Sequence, residues 1–273
     1  MSLGDNVRVV LVEPAGALNV GAVARVMKNM ELRQLILVNP QCDPLGEDAR
    51  KMAVHAVDIL ETALTVDTLP QALQNCQRAI ATTGRACSKN FQIEHPRTAL
   101  PWLLEAPSAL IFGPEARGLN KEELNYAQRF IRIPASSAYC SLNLAQAAAI
   151  CFYELYQAAI GAYSPDNLQH SQTTAEKSAF PPPPLPAASI EALERYYQHL
   201  QDVLLQIGYL YPHTVASRME KFRRIFNRAQ LSTSEVAMLQ GILSQIEWLA
   251  SEHQKVNDIL KASPDISKQG TSD

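Results

Sequence analysis

Three short segments combine residue types that could do chemistry. The first is Gly16-Ala-Leu-Asn19-Val-Gly21-Ala-Val-Ala-Arg25, which follows an apolar run. Gly16 and Gly21 have the spacing of a phosphate-binding loop, but Ala22 and Val23 stand where that loop needs lysine and a hydroxyl. The cation and the metal-binding hydroxyl are both missing, which excludes a P-loop nucleotidase, and the glycines do not form GxGxxG either. Asn19 suits the start of a helix, where its side chain can bond an orphan backbone N–H. On that helix Val20, Val23, Ala24, Met27 and Met30 make an apolar stripe, and Arg25 lies well off it at 100° per residue. Taken alone, Arg25 reads as a solvated arginine.

The second segment is Ile111-Phe-Gly113-Pro-Glu115-Ala-Arg117-Gly118-Leu119, where an apolar run meets two glycines, a proline and a carboxylate. Glycine lets backbone approach a ligand closely, and α/β proteins bind ligands at the ends of parallel strands. An ordinary strand-to-helix loop with a surface glutamate fits the same residues. The third is Ser141-Leu142-Asn143, at the head of an alanine-rich helix. Both polar residues could cap that helix, and the backbone N–H groups behind them could grip a ligand.

The elements that must position these segments alternate. Short apolar runs at Val7–Glu13, Leu35–Asn39, Ala79–Thr83, Ala109–Gly113 and Phe130–Pro134 predict parallel strands covered on both faces. Helical patterns lie between them at Asn19–Met30, Glu47–Leu64, Pro70–Cys76, Lys121–Ala127 and Asn143–Ile160, which is the rhythm of an α/β domain. A stretch rich in serine, threonine, glutamine and proline follows, with Pro181 to Pro184 in a row; consecutive prolines favour extended chain and predict a linker. Beyond it Ile190–Gly208, Thr214–Arg228 and Ser234–Glu252 read as three helices, the last capped by Ser232 or Ser234. The predicted organisation is a domain over 1–163, a linker over 164–189, a helical extension over 190–254 and a frayed tail over 255–273.

Composition narrows the class. The 273 residues are 47% hydrophobic and 19% charged, ordinary for a globular domain. No apolar run reaches the ~18 residues of a membrane span, and the first eight residues show no export leader. Five scattered cysteines without a CxxC pair argue against a disulfide framework or a zinc knuckle and for a reducing compartment, so a cytoplasmic protein without metal is expected. The net charge of −3 argues against binding nucleic acid by bulk charge, so any such role needs a local patch.

Together, Asn19…Arg25, Gly113-x-Glu115-x-x-Gly118-Leu119 and Ser141-x-Asn143 resemble, in order and spacing, the three motifs of the SPOUT methyltransferase superfamily, TrmH-like branch. Leu193-Glu-Arg-Tyr-Tyr-Gln-His-Leu200, Phe222-Arg-Arg-Ile-Phe-Asn-Arg228 and Leu239-Gln-Gly-Ile-Leu-Ser-Gln-Ile246 resemble the helical extension of the TrmJ type. The resemblance covers about residues 5 to 251. It implies an α/β fold with a knotted parallel sheet and flanking helices, plus a small all-helical C-terminal domain. It also implies an S-adenosyl-L-methionine (SAM)-dependent transfer of methyl to a tRNA ribose 2′-hydroxyl, at cytidine or uridine 32, by a homodimer whose active site is shared between subunits. Carried over by position, the cofactor pocket uses Thr82, Thr83, Gly84, Gly113, Ile133, Cys140, Ser141 and Leu142, with Cys140 standing where relatives often have serine. The catalytic set is Arg25, Asn19, Glu115, Ser141 and Asn143. A guanidinium is never neutral at working pH, so Arg25 is expected to orient the hydroxyl and stabilise alkoxide charge rather than to take a proton. Arg218, Lys221, Arg223, Arg224 and Arg228 against Glu220 make a basic helix suited to phosphates. Tyr196, Tyr197, Tyr209 and Tyr211 beside it suit packing first and base stacking second. A TrmH-like methylase of another tRNA or rRNA site, or a silent RNA-binding member of the superfamily, are the competing readings; the presence of Arg25, Glu115 and Asn143 together argues against silence.

Overall fold

The structure is a computed structural model, described over residues 3–84, 92–136, 138, 141–161 and 187–262. Cys140 and the proline run lie outside the described residues. The chain forms two compact units, 1–191 and 192–273.

In the first unit seven strands form one parallel sheet: β1 (Val7–Val12), β2 (Gln34–Val38), β3 (Leu64–Val66), β4 (Arg78–Thr82), β5 (Ile93–Glu94), β6 (Ser108–Phe112) and β7 (Arg129–Ile131), in the order β3-β2-β1-β6-β4-β7-β5. The side chains of β1 alternate between two cores. Val7, Val9 and Leu11 face one side, Val10 and Val12 the other, and all five are buried. That double burial is why the strands read as continuous apolar runs. On the first side pack α1 (Ala17–Asn29) through Val20, Val23, Ala24 and Met27, and α3 (Leu144–Ala159) through Ala148, Cys151, Phe152 and Leu155; α2 (Glu47–Ala53) lies against α1. The second side is covered by short helices that carry Leu69 and Leu124, by Leu73, which follows the first of them, and by Ile190, whose N–H donates to the Cys76 carbonyl.

The helix expected over Glu47–Leu64 is broken. It stops at Ala53, Val54 takes φ +54°, a 3₁₀ turn follows, and a helical turn over Val57–Glu61 precedes β3. A β-branched residue at positive φ is an outlier that a continuous helix forbids. β3 and β5 escape a reading of the sequence because both are short edge strands without an apolar run: Leu64 and Thr65 are exposed and β5 has two residues. Short edges that cannot template another chain are the usual solution for an open sheet.

In the second unit the helices are α4 (Ile190–Gln206), which begins in the first unit, α5 (Val215–Ala229) and α6 (Thr233–Ala262). Leu193, Tyr196, Tyr197, Leu200, Val203, Met219, Val236 and Leu243 are buried, and Tyr196 meets Phe226 edge to face. Ser232 caps α6: its hydroxyl accepts from the Glu235 N–H while the Glu235 carboxylate accepts from the Ser232 N–H, a reciprocal capping box. α6 runs on to Ala262, into the segment read as a tail from residue 255; residues 263–273 lie outside the described residues. No glycine or proline interrupts the helix between Gly241 and Pro264, and the residue before a proline is where a helix tends to stop.

Candidate active site

The three segments meet at the carboxyl end of the sheet. β1 and β6 are neighbours, with Leu11 opposite Phe112, so the β1–α1 loop and the Gly113–Gly118 turn emerge side by side. The turn closes on itself: the Gly118 N–H donates to the Pro114 carbonyl at 2.8 Å, and Gly118 sits at φ +68°. A Cβ on Gly113 would lie 2.3 Å from the Leu119 nitrogen. Gly113 is therefore demanded by its own turn rather than by an open approach to a ligand. Gly21 has a similar reason, since a Cβ there would lie 2.2 Å from the Ala49 carbonyl oxygen of α2.

The turn presents Glu115 to the start of α1. Its carboxylate accepts from the backbone N–H of Ala15 at 3.1 Å and Gly16 at 3.3 Å, and from the Asn19 amide at 2.7 Å. Burial pushes the Glu115 carboxyl up, but these donors outweigh it and hold the group below the usual glutamate range. The positive end of α1 favours the same charged form. Asn19 is not the cap that the sequence suggests. Gly16 occupies that position without a side-chain bond, and Asn19, one turn in, is a joint. Its Nδ2 reaches Glu115 while its Oδ1 accepts from Asn143 Nδ2 at 3.0 Å. Asn143 is a cap as read: its Oδ1 accepts from the Ala145 N–H at 2.8 Å, and Gln146 completes the box. Glu115, Asn19 and Asn143 thus bind the three segments into one hydrogen-bonded chain across sequence separations of 96 and 124 residues.

Arg25 and Ser141 stand apart from this chain. Both are exposed, and neither side chain has a hydrogen-bond or ion-pair partner among the described residues. Nearby, Arg117 of the same turn has a structural role that its sequence position does not announce. It binds Glu13 at 2.7 Å and both oxygens of Glu123 at 2.8 Å, and these carboxylates hold the guanidinium charged well past its usual range. Glu13 follows β1 at φ +46°. The turn therefore has two ties to the β1–α1 loop, one on each side of Pro14. An arginine between two glycines is the only sequence signal for the second tie. Burial pushes the Cys42 thiol up, and the charges of Glu115 and Asp43 add to the effect.

The residues expected to hold the cofactor come from neighbouring strands. β4 lies between β6 and β7, so Thr82, Thr83 and Gly84 share an edge with Gly113 and Ile133. The Thr82 hydroxyl is spent on the Ile111 carbonyl at 3.0 Å and the Thr83 N–H on that of Ile131 at 2.9 Å. Gly84 is exposed, with open space where a Cβ would stand. Leu142 is half-buried just before α3. Among the described residues no group of three or more His, Cys, Asp or Glu could hold a metal ion, and no helix is long and apolar enough to cross a membrane.

In the second unit the five basic residues separate. Arg223 falls on the core side of α5. It makes a two-pronged ion pair with Glu194, 2.6 Å through Nη2, and lies 4.5 Å over the Tyr197 ring. Arg218, Lys221 and Arg228 are exposed and Arg224 is half-buried. Tyr196 and Tyr197 are core residues, whereas Tyr209 and Tyr211 are exposed.

Residues 6–153 match the SpoU rRNA methylase family, and the chain belongs to it. Residues 191–256 match the C-terminal domain of the tRNA methyltransferase TrmJ. The tRNA (cytidine/uridine-2′-O-)-methyltransferase TrmJ of Pectobacterium atrosepticum is 38% identical over 247 residues, 89% of this chain and 97% of that protein. The tRNA (cytidine/uridine/adenosine-2′-O-)-methyltransferase TrmJ of Pseudomonas aeruginosa is 36% identical over 252 residues, 90% and 95% of the two chains. The crystal structure of TrmJ from Z. mobilis ZM4 superposes with a TM-score of 0.73 at 27% identity, covering 88% of this chain and 98% of that one. Within the family, the chain falls in the TrmJ group.

Proposed function

We propose that the chain is a SAM-dependent tRNA ribose 2′-O-methyltransferase acting at cytidine or uridine 32 of the anticodon loop. The observation that carries this reading is the Glu115–Asn19–Asn143 chain, which fixes three separate segments at one end of the sheet. The names of the TrmJ relatives support the substrate and the reacting hydroxyl.

The residues present fit an adenosine cofactor. Thr83, Gly84, Gly113 and Ile133, which follow three neighbouring strands, would hold it through backbone groups, with Ser141 and Leu142 ahead of α3 and Cys140. SAM supplies a methyl group on a sulfonium, an activated leaving group that needs no metal. The protein's task is then to orient a weak nucleophile and stabilise the charge it develops. Arg25 does this as a permanent cation, holding the hydroxyl or its neighbouring phosphate while the proton leaves to phosphate or water. Asn19 and Asn143 spend their amides on the hydrogen-bonded chain, so they position the site. Ser141, with its hydroxyl exposed, meets the RNA backbone. The same reading makes the enzyme a cytoplasmic homodimer whose active site is shared between subunits. In the second unit Arg218, Lys221, Arg224 and Arg228 meet phosphates, while Arg223 is kept for Glu194.

Calorimetry with SAM in the presence of a chelator tests the cofactor. Binding with full strength is expected; a folded sample that binds no SAM would overturn the reading.

A further inference from the structure

We infer that Tyr209, Tyr211 and His213, with Arg218 beside them, form a platform on which unpaired nucleobases of the RNA stack. The inference rests on the tRNA reading above and adds to it how single-stranded nucleotides are held.

The platform is a built turn. α4 gives way to Gly208, at φ +74°, and the N–H groups of Tyr209 and Leu210 both donate to the Leu204 carbonyl at 2.9 Å. At its other end the Tyr211 carbonyl accepts from the N–H of Thr214 and Val215 and from the Thr214 hydroxyl, which in turn accepts from the Tyr211 N–H. Leu210 anchors the segment, only 1% exposed, while Tyr209 is 51% and Tyr211 57% exposed. Residues 209, 211 and 213 thus reach solvent around one buried leucine. The Tyr211 and His213 rings stack 5.9 Å apart at 20°, Tyr209 packs against Phe222, and the Arg218 guanidinium lies 5.7 Å over the Tyr209 ring.

Burial would favour rings of this size, so holding three of them on a hydrogen-bonded turn in water suits a partner with flat faces. The surrounding charge says which partner. Arg218, Lys221 and Arg228 are exposed on the adjoining helix, which matches an anionic backbone. Aromatic rings bordered by arginine and lysine are the surface on which splayed bases stack. Paired bases offer no free face, so the platform selects loop over stem.

The test uses the full-length protein, a stem-loop RNA with an unpaired loop, and a duplex of matched length. Tyr209→Ala and Tyr211→Ala are each expected to weaken stem-loop binding roughly tenfold, with duplex affinity and the salt slope unchanged. Tyr211→Phe keeps the ring and should restore binding. An equal loss on both RNAs, or no loss from a folded variant, overturns the platform. A 2-aminopurine in the loop should be quenched in the wild-type complex, and an unquenched signal overturns the proposal without any variant. If the wild type binds neither RNA, the tRNA reading itself fails. If it binds both and the tyrosine variants bind as well as wild type, the platform alone fails.

Discussion

Arg25 points away from the core stripe of α1, so its contribution should be separable from folding. Arg25→Ala should keep the melting temperature and SAM affinity and lose roughly 100- to 1000-fold in methyl transfer, the scale of one preorganised charge stabiliser. Turnover assays beside calorimetry check this, and near-normal turnover would remove Arg25 from the mechanism. Glu115 makes a second prediction. Its folded pKa is depressed, so the stability it contributes is present above the unfolded value of about 4.3 and is lost as pH falls through the lower folded value. The melting temperature of the wild type should exceed that of Glu115→Gln at neutral pH, and the gap should close on acidification below about pH 4. A gap independent of pH would mean that the bonds to Ala15, Gly16 and Asn19 do not depend on the charge. The sequence names Glu115, Asn19 and Asn143 as candidates, but not that they bond one another, because hydrogen bonds across about a hundred residues leave no local pattern. Arg117 and Glu13 escape notice for the same reason: each looks like a surface charge until the turn brings them to 2.7 Å.

Among the elements, those with a strong period are legible. β1, β2, β4, β6 and β7 carry apolar runs because both faces are buried, and α1 shows its stripe because only one side is. The broken helix after Glu47 is not legible, since its residues keep a helical pattern across the turn at Val54. Two glycines test how elements pack. Alanine is favoured over glycine inside a helix by about 1 kcal/mol, yet Gly21 lies where a Cβ would come within 2.2 Å of backbone in α2. Overpacking costs about 1–3 kcal/mol, so Gly21→Ala should lower stability. Gly241 sits in α6 with open space around it, so Gly241→Ala should raise stability by about 0.5–1 kcal/mol. Denaturant unfolding of both variants checks the pair, and a stabilised Gly21→Ala would contradict the close approach of α1 to α2.

For the whole molecule, the net charge of −3 leaves RNA capture to a local patch. Sequence spacing puts five cations on α5, but only packing shows that Arg223 is turned inward to Glu194. The first unit also reaches further than the linker suggests, because Ala188 and Ile190 are buried in it. A chain cut at residue 181 would lack that packing, whereas one ending at Glu191 keeps it. The 1–191 form should fold and bind SAM, with weaker tRNA binding whose salt slope is shallower by up to about 0.9 for each phosphate that the helical unit no longer neutralises. An unchanged slope at full affinity would take the helical unit out of RNA recognition. The most direct measurement is of the product: unmodified tRNA incubated with the protein and SAM, followed by nucleotide-resolution mapping of ribose methylation. The account predicts a single new 2′-O-methyl group at cytidine or uridine 32, formed roughly 100- to 1000-fold more slowly with Arg25→Ala. Methylation at another tRNA position, or none from a protein that binds both SAM and tRNA, would contradict it.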